Sequence, residues 1–317
     1  MSLPMILGLG QTALELSLFN ALTVLALFLS YSMLNVCDLS TDGCFTLGAA
    51  VGAVVAIAGH PWLSIPAAMG AGILSGLVTA TLQTRMGVNS LLAGIIVNTG
   101  LYSVNIWIMG GSSLLNMNKT STVFSMLKDA LKDSVLGAQY SLIIGLIAVT
   151  AVIVFLSLFL RTRLGLAIRA TGDNPDMVRS SSINPVFTTT VGLCVSNSFT
   201  ALSGCLLAQS QKSVDVNIGS GMVTVALASL LIGGVFMGRR SIPLRAVGAV
   251  IGAFVFRLVY TVALRFNLPA FMLKLISSVI VVIAISGPYL KGRLPLIRRR
   301  WRRNSERRGR SDETDQR

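Results

Sequence analysis

Apolar runs of about 20 residues recur along this chain, and they constrain its fold more than any other feature. In helical form, a run of that length crosses a hydrocarbon core of roughly 30 Å. Charged residues make up only 12% of the 317 residues, against about 25% in soluble domains, whose water-facing surfaces need them. A soluble protein built from buried helices would also need far more polar helix faces. The sequence therefore predicts an all-α polytopic membrane protein.

The apolar runs divide into about nine candidate transmembrane helices, within a range of about eight to ten. Their boundaries carry an error of about two to four residues. They cover residues 12–34, 42–58, 62–84, 90–110, 140–160, 186–209, 221–237, 244–264 and 269–289. A transmembrane domain is therefore predicted at residues 1–290, followed by a tail at residues 291–317.

The net charge of +14 could suggest a nucleic-acid partner, but the positions of the basic residues argue against one. Ten of the 26 Lys and Arg residues lie between Lys291 and Arg310, after the last apolar run. A basic tail beside a membrane helix is typical of a cytoplasmic C-terminus that is attracted to anionic lipid. Residues 305–317 are polar and charged, so the tail is predicted to be largely disordered.

The loops between the apolar runs also carry an uneven share of basic residues. Arg161, Arg163, Arg169 and Arg179 cluster in one loop, at residues 161–183. Since cytoplasmic loops carry the excess of Lys and Arg, this loop is predicted to be cytoplasmic. Nine spans then place the N-terminus outside, whereas a re-entrant second segment would place it inside. The sequence leaves both arrangements open.

A polar interruption at residues 35–48 separates the first two apolar runs. It contains Asp38 and Asp42, and carboxylates near membrane depth are costly unless they face a cavity or a partner. Because unwound segments build many transporter sites, a broken or re-entrant helix is predicted near residues 38–48. Ser40 and Phe45 join the two carboxylates as candidate pathway residues, with simple packing as the alternative for Phe45. A structural role for the carboxylates, with Asp42 as a helix N-cap, stays equally open.

Asn98 and Asn105 form a second polar feature, inside the fourth apolar run. They lie seven residues apart, and this spacing places them on one face of a helix. An amide in lipid prefers an inter-helix partner or a watery cavity. Both residues are therefore candidates either for helix packing or for lining a pathway.

The predicted cytoplasmic loop contains a short amphipathic piece at residues 164–170, followed by a turn at residues 172–175. A short helix that Gly and Pro end projects from the membrane as a compact knob. Such a knob suits docking into a groove on a soluble partner. The alternative is an interfacial helix that lies on anionic lipid.

Several kinds of chemistry lack the residues they need. The four cysteines do not have the spacing and His partners of a zinc site, and the chain has a single histidine, His60. No G-x-x-x-x-G-K-[ST] motif is present, so this chain would not hydrolyse ATP through a P-loop. We therefore predict no catalytic residues, no bound metal and no cofactor of its own.

Several motifs together resemble the ABC importer permeases of the branched-chain amino acid and ribose permease superfamily. Residues 38–48, DLSTDGCFTLG, are similar to a DLTVDGSFTLGA region of that superfamily, and narrowly to its tryptophan/tyrosine-type permeases. Further similar segments lie at residues 91–105, 108–110, 162–174, 215–222 and 226–234. One departure is Gly234, which stands where the family pattern has an acidic residue. Any role of that acid does not carry over.

The resemblance implies a permease in a prokaryotic cytoplasmic membrane, working as a homodimer or with a paralogous permease. ATP would be bound by separate ATPase subunits that dock on the cytoplasmic loop, and an extracytoplasmic solute-binding lipoprotein would deliver the solute. The solute would be small and polar, with an aromatic amino acid favoured. The residues assigned to ATPase coupling are Arg163, Gly165, Arg169, Gly172, Asp173 and Asn174.

Two other functions stay open from the residues alone. One is a stand-alone secondary transporter that uses Asp38 or Asp42 as a proton or sodium site. The other is a membrane-embedded enzyme, which the single histidine disfavours. Dependence on an ATPase partner separates the importer from the ion-coupled transporter.

Overall fold

The computed structural model describes residues 3–130, 139–237 and 241–264, together with six single positions between 275 and 286. Within these ranges the chain forms helices and one small antiparallel ladder. The helices are α1 (Leu3–Leu27, extended by a π-helix at Phe28–Met33), α2 (Thr41–Ile57), α3 (Ser64–Thr84), α4 (Ser90–Ile108), α5 (Val123–Ala130), α6 (Tyr140–Phe159), α7 (Arg163–Asp173), α8 (Pro175–Ser180), α9 (Pro185–Gln211), α10 (Met222–Met237) and α11 (Ile242–Leu264). The ladder pairs β1 (Leu114–Asn116) with β2 (Ser213–Asp215).

Eight of the nine predicted spans coincide with helices of the described chain, which is an all-α polytopic membrane protein. By length and composition, six of the described helices are able to cross a membrane. Two more, α2 and α10, are apolar but shorter, at 17 and 16 residues. The ninth predicted span and the basic tail lie outside the described residues, apart from the single positions.

The centre of the bundle is α9, whose most apolar window is 83% buried. It packs closely on α2 and α3, and glycines make this possible. A methyl group on Gly48 would overlap the backbone of Ala201, and one on Gly204 would overlap the backbone of Phe45. Small residues let membrane helices approach to backbone contact. We call α2, α3 and α9 the scaffold.

The contacts along these helices fix their directions. Cys44 and Gly52 of α2 contact Asn197 and Cys205 of α9, so the two helices run the same way. The other end of the bundle is marked by α7, where Gly172 lies against the backbone of Met33 and Leu34. The β-ladder follows the far end of α9, at Gln211. We therefore refer to the α7 end, which the basic residues predict to be cytoplasmic, and to the β-ladder end.

Both short helices begin in the middle of the bundle. The break before α2 occupies residues 34–40, slightly ahead of the predicted 38–48, and Asp38 in that break contacts Asn197. Asn197 lies 12 residues after the start of α9 at Pro185, which is about 18 Å along the helix axis. From this depth α2 runs to the β-ladder end. α10 starts at the same depth and runs to the α7 end beside α11.

Candidate functional site

Asp38 holds the start of α2 against the scaffold. Its side chain is 2% exposed. One carboxylate oxygen, Oδ1, accepts hydrogen bonds from the backbone N–H and the hydroxyl of Ser40, at 2.8 and 2.6 Å. The other, Oδ2, accepts a hydrogen bond from Nδ2 of Asn197 at 2.9 Å. Asp38 therefore ties α2 to α9, and the fully buried Ser40 accepts a hydrogen bond from the hydroxyl of Thr79 in α3 at 3.2 Å. Neither side chain lines either of the two cavities described below.

Asp42 caps a helix that begins 180 residues later in the chain. Its Oδ2 accepts a hydrogen bond from the N–H of Gly221 at 2.9 Å, and its Oδ1 accepts one from Val223 at 2.8 Å. A carboxylate at a helix N-terminus is favourable because the unpaired amides and the helix dipole both attract it. Thr46, one turn further along α2, accepts a hydrogen bond from Gly219. The starts of α2 and α10 are thus joined through Asp42.

A polar cavity of about 450 Å³ lies between the start of α2, one face of α4 and the turn before α10. Its size falls in the range of about 300–1,000 Å³ that small-molecule sites occupy. Eight of its eleven lining residues carry an amide or a hydroxyl group, and we call it the α4 cavity. It is lined by Asp42, Gly43, Thr46, Asn98, Thr99, Tyr102, Ser103, Asn105, Val216, Asn217 and Ser220.

The two asparagines predicted from the sequence both reach this cavity. Nδ2 of Asn105 donates a hydrogen bond to the carbonyl of Gly43 at 3.2 Å, while its buried Oδ1 has no hydrogen-bond partner within the described chain. Asn98 packs over Gly43, where a methyl group would lie 2.7 Å from the asparagine Oδ1. An unpaired buried oxygen costs about 1–3 kcal/mol.

Phe45 lies elsewhere. Its ring is fully buried, with its backbone against Gly204 in the scaffold. The aromatic side chain of the cavity is Tyr102, which sequence reasoning missed although it shares a helix face with Asn98 and Asn105. Thr99 and Ser103 were missed in the same way. Asn217 and Ser220 come from a distant turn and gave no local signal.

The polar face of α4 is open on the outside of the described chain. Only 22% of its most apolar window is buried, and Thr99, Tyr102 and Ser103 are exposed. Polar groups on a membrane helix are disfavoured against lipid unless water or a protein partner meets them. The α4 cavity is therefore suited to face water or another protein subunit.

At the α7 end, the two glycines of the predicted coupling loop face the membrane domain. Gly165 lies against the backbone of Phe159 and Leu160, and Gly172 against that of Met33. Thr162 caps α7, its hydroxyl accepting the N–H of Gly165 at 3.2 Å. The helix continues to Asp173, beyond the predicted turn at Gly172. The glycines thus allow α7 to sit directly on the helix ends.

The opposite face of this region is open to solvent. Arg163, Asp173 and Asn174 are exposed, and Arg169 is partly buried. Asn174 also caps α8, because its Oδ1 accepts the N–H groups of Asp176 and Met177. Three exposed apolar side chains belong to the same stretch of the chain, from α7 to the start of α9, and together with Arg163 and Asp173 we call them the coupling surface. They are Leu166, Met177 and Phe187.

Side chains that could bind a metal ion do not cluster within the described ranges. No three His, Cys, Asp or Glu side chains come together there as metal ligands. The four cysteines are free thiols, and those of Cys44 and Cys205 donate weak hydrogen bonds to the carbonyls of Asn197 and Ser64. Both thiols lie where the scaffold helices meet, which is a packing position.

Comparison with known proteins gives a consistent picture. Residues 12–285 match the family described as the permease component of the branched-chain amino acid transport system. The chain is 31% identical to a tyrosine transport system permease protein from Clostridioides difficile, over 84% of this chain and 86% of that protein. It is 27% identical to the fructose import permease protein FruF from Bifidobacterium longum, over 74% of this chain and 68% of that protein.

A further relative is an uncharacterised protein of Rickettsia prowazekii, 29% identical over 87% of this chain and 96% of that protein. No solved structure matches the chain.

Proposed function

Because this chain belongs to the family of branched-chain amino acid transport permeases, we propose that it is the membrane subunit of an ABC importer that moves a small polar solute inward. The observation that carries the proposal is the α4 cavity. It places amides, hydroxyls and one aromatic ring at the depth where two half-length helices meet. A polar solute loses hydrogen bonds to water when it enters the membrane, and the amides and hydroxyls of this wall are able to replace them.

The solute that we favour is an amino acid, with an aromatic one preferred. Amide and hydroxyl groups are able to hydrogen-bond both the ammonium and the carboxylate of an amino acid. Tyr102, which is 49% exposed, offers a ring for edge or face contact with an aromatic side chain. The tyrosine transport relative supports this choice, and the fructose import relative makes a sugar the comparison solute.

ATP would be hydrolysed on separate subunits that dock on the coupling surface. Leu166 and Met177 are exposed by 52% and 59%, and charged groups surround them, as at many protein interfaces. Gly172 joins α7 to the end of α1, so a movement of α7 would reach the break before α2 as a rigid-body shift. Arg169 and Arg163 would steer acidic groups of the ATPase to this surface.

Two further partners follow from the same proposal. A second permease copy, or a paralogue, would cover the exposed polar face of α4 and complete the path. An extracytoplasmic solute-binding lipoprotein would deliver solute at the β-ladder end. The basic tail would contact anionic lipid in the cytoplasmic leaflet of a prokaryotic membrane.

The ion-coupled alternative relied on Asp38 and Asp42. All four of their carboxylate oxygens accept hydrogen bonds from the protein itself. A coupling ion would have to compete with these bonds, so the carboxylates support the importer better than they support an ion site.

The test is to purify the tagged protein from its native membranes in lipid nanodiscs, after crosslinking, and to identify the proteins that remain bound. The importer predicts a P-loop ATPase in near-equal amount. Reconstituted with that ATPase, the protein should take up labelled tyrosine or tryptophan only when ATP is present. A preparation without ATPase that still drives uptake from an ion gradient would overturn the proposal.

A further inference from the structure

A second cavity, of about 560 Å³, lies on the other side of the turn that borders the α4 cavity. Ser220 lines both cavities, whereas the remaining walls differ. We call this space the α11 cavity. Its lining residues come mainly from α1, α9, α10 and α11, and the polar ones among them are Asn20, Gln211, Ser220, Thr224, Arg257, Tyr260 and Ser278.

Arg257 is the cation of this cavity, and the described chain gives it no anion. Its Nε is buried without a hydrogen-bond partner, and its guanidinium lies over the ring of Tyr260, 5.0 Å from the ring centre. No described carboxylate forms an ion pair with it. The next part of the sequence, residues 265–290, contains no Asp or Glu at all.

An unpaired cation in this position is costly. Arg257 lies 15 residues after Ile242, the start of α11, which places it about 22 Å along the helix. Charged side chains inside a membrane are rare, and they are retained where a partner or a ligand meets them. Two or more donors of a guanidinium match the geometry of a carboxylate or phosphate.

We propose that the α11 cavity binds an oxyanion, a carboxylate or a phosphate, whose charge Arg257 neutralises. Neutral donors stand around the same space: the amides of Asn20 and Gln211 and the hydroxyl of Ser220. Asp42, in the first turn of α2, already accepts hydrogen bonds from the N–H groups of Gly221 and Val223 at the start of α10.

The oxyanion has two possible sources. One is the phosphate of a phospholipid. The cavity lies in the half of the bundle nearer the β-ladder end, which brings it towards the lipid headgroups on that side of the membrane. The other is the carboxylate of the transported amino acid, and this version rests on the proposed function. The two sources share the chemistry of the site but differ in which molecule remains bound.

The experiment compares the full-length protein with Arg257→Gln in nanodiscs that contain phosphatidylcholine and a minority of phosphatidylglycerol. Native mass spectrometry counts the phosphatidylglycerol retained per protein. In parallel, thermal unfolding is measured with L-tyrosine and with tyramine, which lacks the carboxylate. The matched control is Arg245→Gln, on the same helix, whose guanidinium donates to Ser32 at 2.7 Å outside this cavity.

We expect Arg257→Gln to lose about tenfold or more in affinity for one of the two probes, while Arg245→Gln keeps the wild-type values. Loss of phosphatidylglycerol retention identifies a lipid phosphate. Loss of stabilisation by tyrosine, with tyramine inactive on the wild type, identifies the solute carboxylate.

Arg257→Lys keeps the charge and removes the planar fork, so it remains informative if the glutamine variant does not fold. It should weaken the same probe by about three- to tenfold. Wild-type affinity for both probes in the Arg257 variants would overturn the inference. Tyrosine uptake by the wild-type complex is scored separately, so failure of the site and failure of the importer function give different results.

Discussion

Helices α9 and α4 both lie against α2, yet they use their polar side chains in opposite ways. In α9, Ser196 and Ser203 donate to the carbonyls of Ala26 and Phe19 in α1, at 2.7 and 2.6 Å, and Asn197 donates to Asp38. In α4, Asn98 and its polar neighbours line a cavity instead.

The difference shows that the role of a polar residue in a membrane helix depends on how deeply the helix is buried in the protein. Where the helix is 83% buried, as in α9, polar groups hold the scaffold together. Where it is 22% buried, as in α4, the same residue types are left for water, solute or another subunit. Changes in α9 should therefore cost stability, whereas changes in α4 should cost transport alone. Three pairs of substitutions test this contrast and a fourth lies outside both regions, in order from the largest expected loss of stability to the smallest.

The largest effect is expected from Gly48→Val in the scaffold. The added carbons would overlap backbone atoms of Ala201. Unlike the end of a flexible side chain, these backbone atoms cannot rotate away. Overpacking of this kind costs about 3 kcal/mol or more. Thermal unfolding in detergent should show a large loss, or no folded protein. Gly100→Val on α4, where nothing lies within 4 Å of the added group, should unfold like the wild type.

Asp38→Ala should follow, with a loss of about 2–4 kcal/mol. It leaves the N–H of Ser40 and the amide of Asn197 buried without their acceptor. The control is Asp215→Ala, which removes one exposed local hydrogen bond to Asn217 and should cost less than about 1 kcal/mol. Equal losses in the two variants would mean that Asp38 does not tie α2 to the scaffold.

Asn105→Leu compared with Asn197→Leu gives the most direct contrast between α4 and α9. Both variants remove a buried oxygen that has no hydrogen-bond partner in the described chain. The α4 variant also loses one 3.2 Å hydrogen bond to the carbonyl of Gly43, so the free energy of unfolding should fall by less than about 1 kcal/mol while ATP-driven uptake falls about tenfold. The α9 variant leaves Oδ2 of Asp38 unpaired and should destabilise the protein by about 2 kcal/mol or more. Destabilisation by both, with uptake unchanged in Asn105→Leu, would erase the distinction.

The smallest change in stability is expected from Arg169→Glu at the α7 end. This side chain belongs to neither the scaffold nor the α4 cavity, and it is only partly buried. The variant should insert and unfold as the wild type does, but solute should no longer stimulate ATP hydrolysis by the bound ATPase. Arg161→Glu, at a nearby exposed position outside α7, is the matched charge reversal. Normal transport by Arg169→Glu would refute its role in coupling.

The membrane helices and the break before α2 could be predicted from the sequence. Apolar runs predicted eight described helices, because membrane depth sets their length. The polar stretch after residue 34 predicted a break beside the second span, and the helix ends there. The shift to residues 34–40 arises because Thr41 and Asp42 already belong to α2, whose start Asp38 holds.

The hydrogen-bond partners of the site residues could not be predicted from the sequence. Asp38 contacts Asn197, 159 residues away, and Asp42 contacts Gly221, 179 residues away, and no local pattern encodes such pairs. Helix periodicity around Asn98 could have identified Tyr102 and Ser103 as residues near the same face of α4. It could not have shown that this face is exposed, because that depends on which other face of α4 packs against the bundle.

The central claim is that the α4 cavity is the path of the solute, and Ser103→Trp tests it most directly. Ser103 is exposed on the cavity wall, so an indole there fills the space without disturbing the scaffold. Val104→Trp places the same ring on the next residue, which does not line the cavity. ATP-driven uptake of labelled tyrosine is then measured for both variants in proteoliposomes that contain the partner subunits. Our account predicts loss of uptake for Ser103→Trp and near-normal uptake for Val104→Trp; equal uptake by the two variants would contradict it.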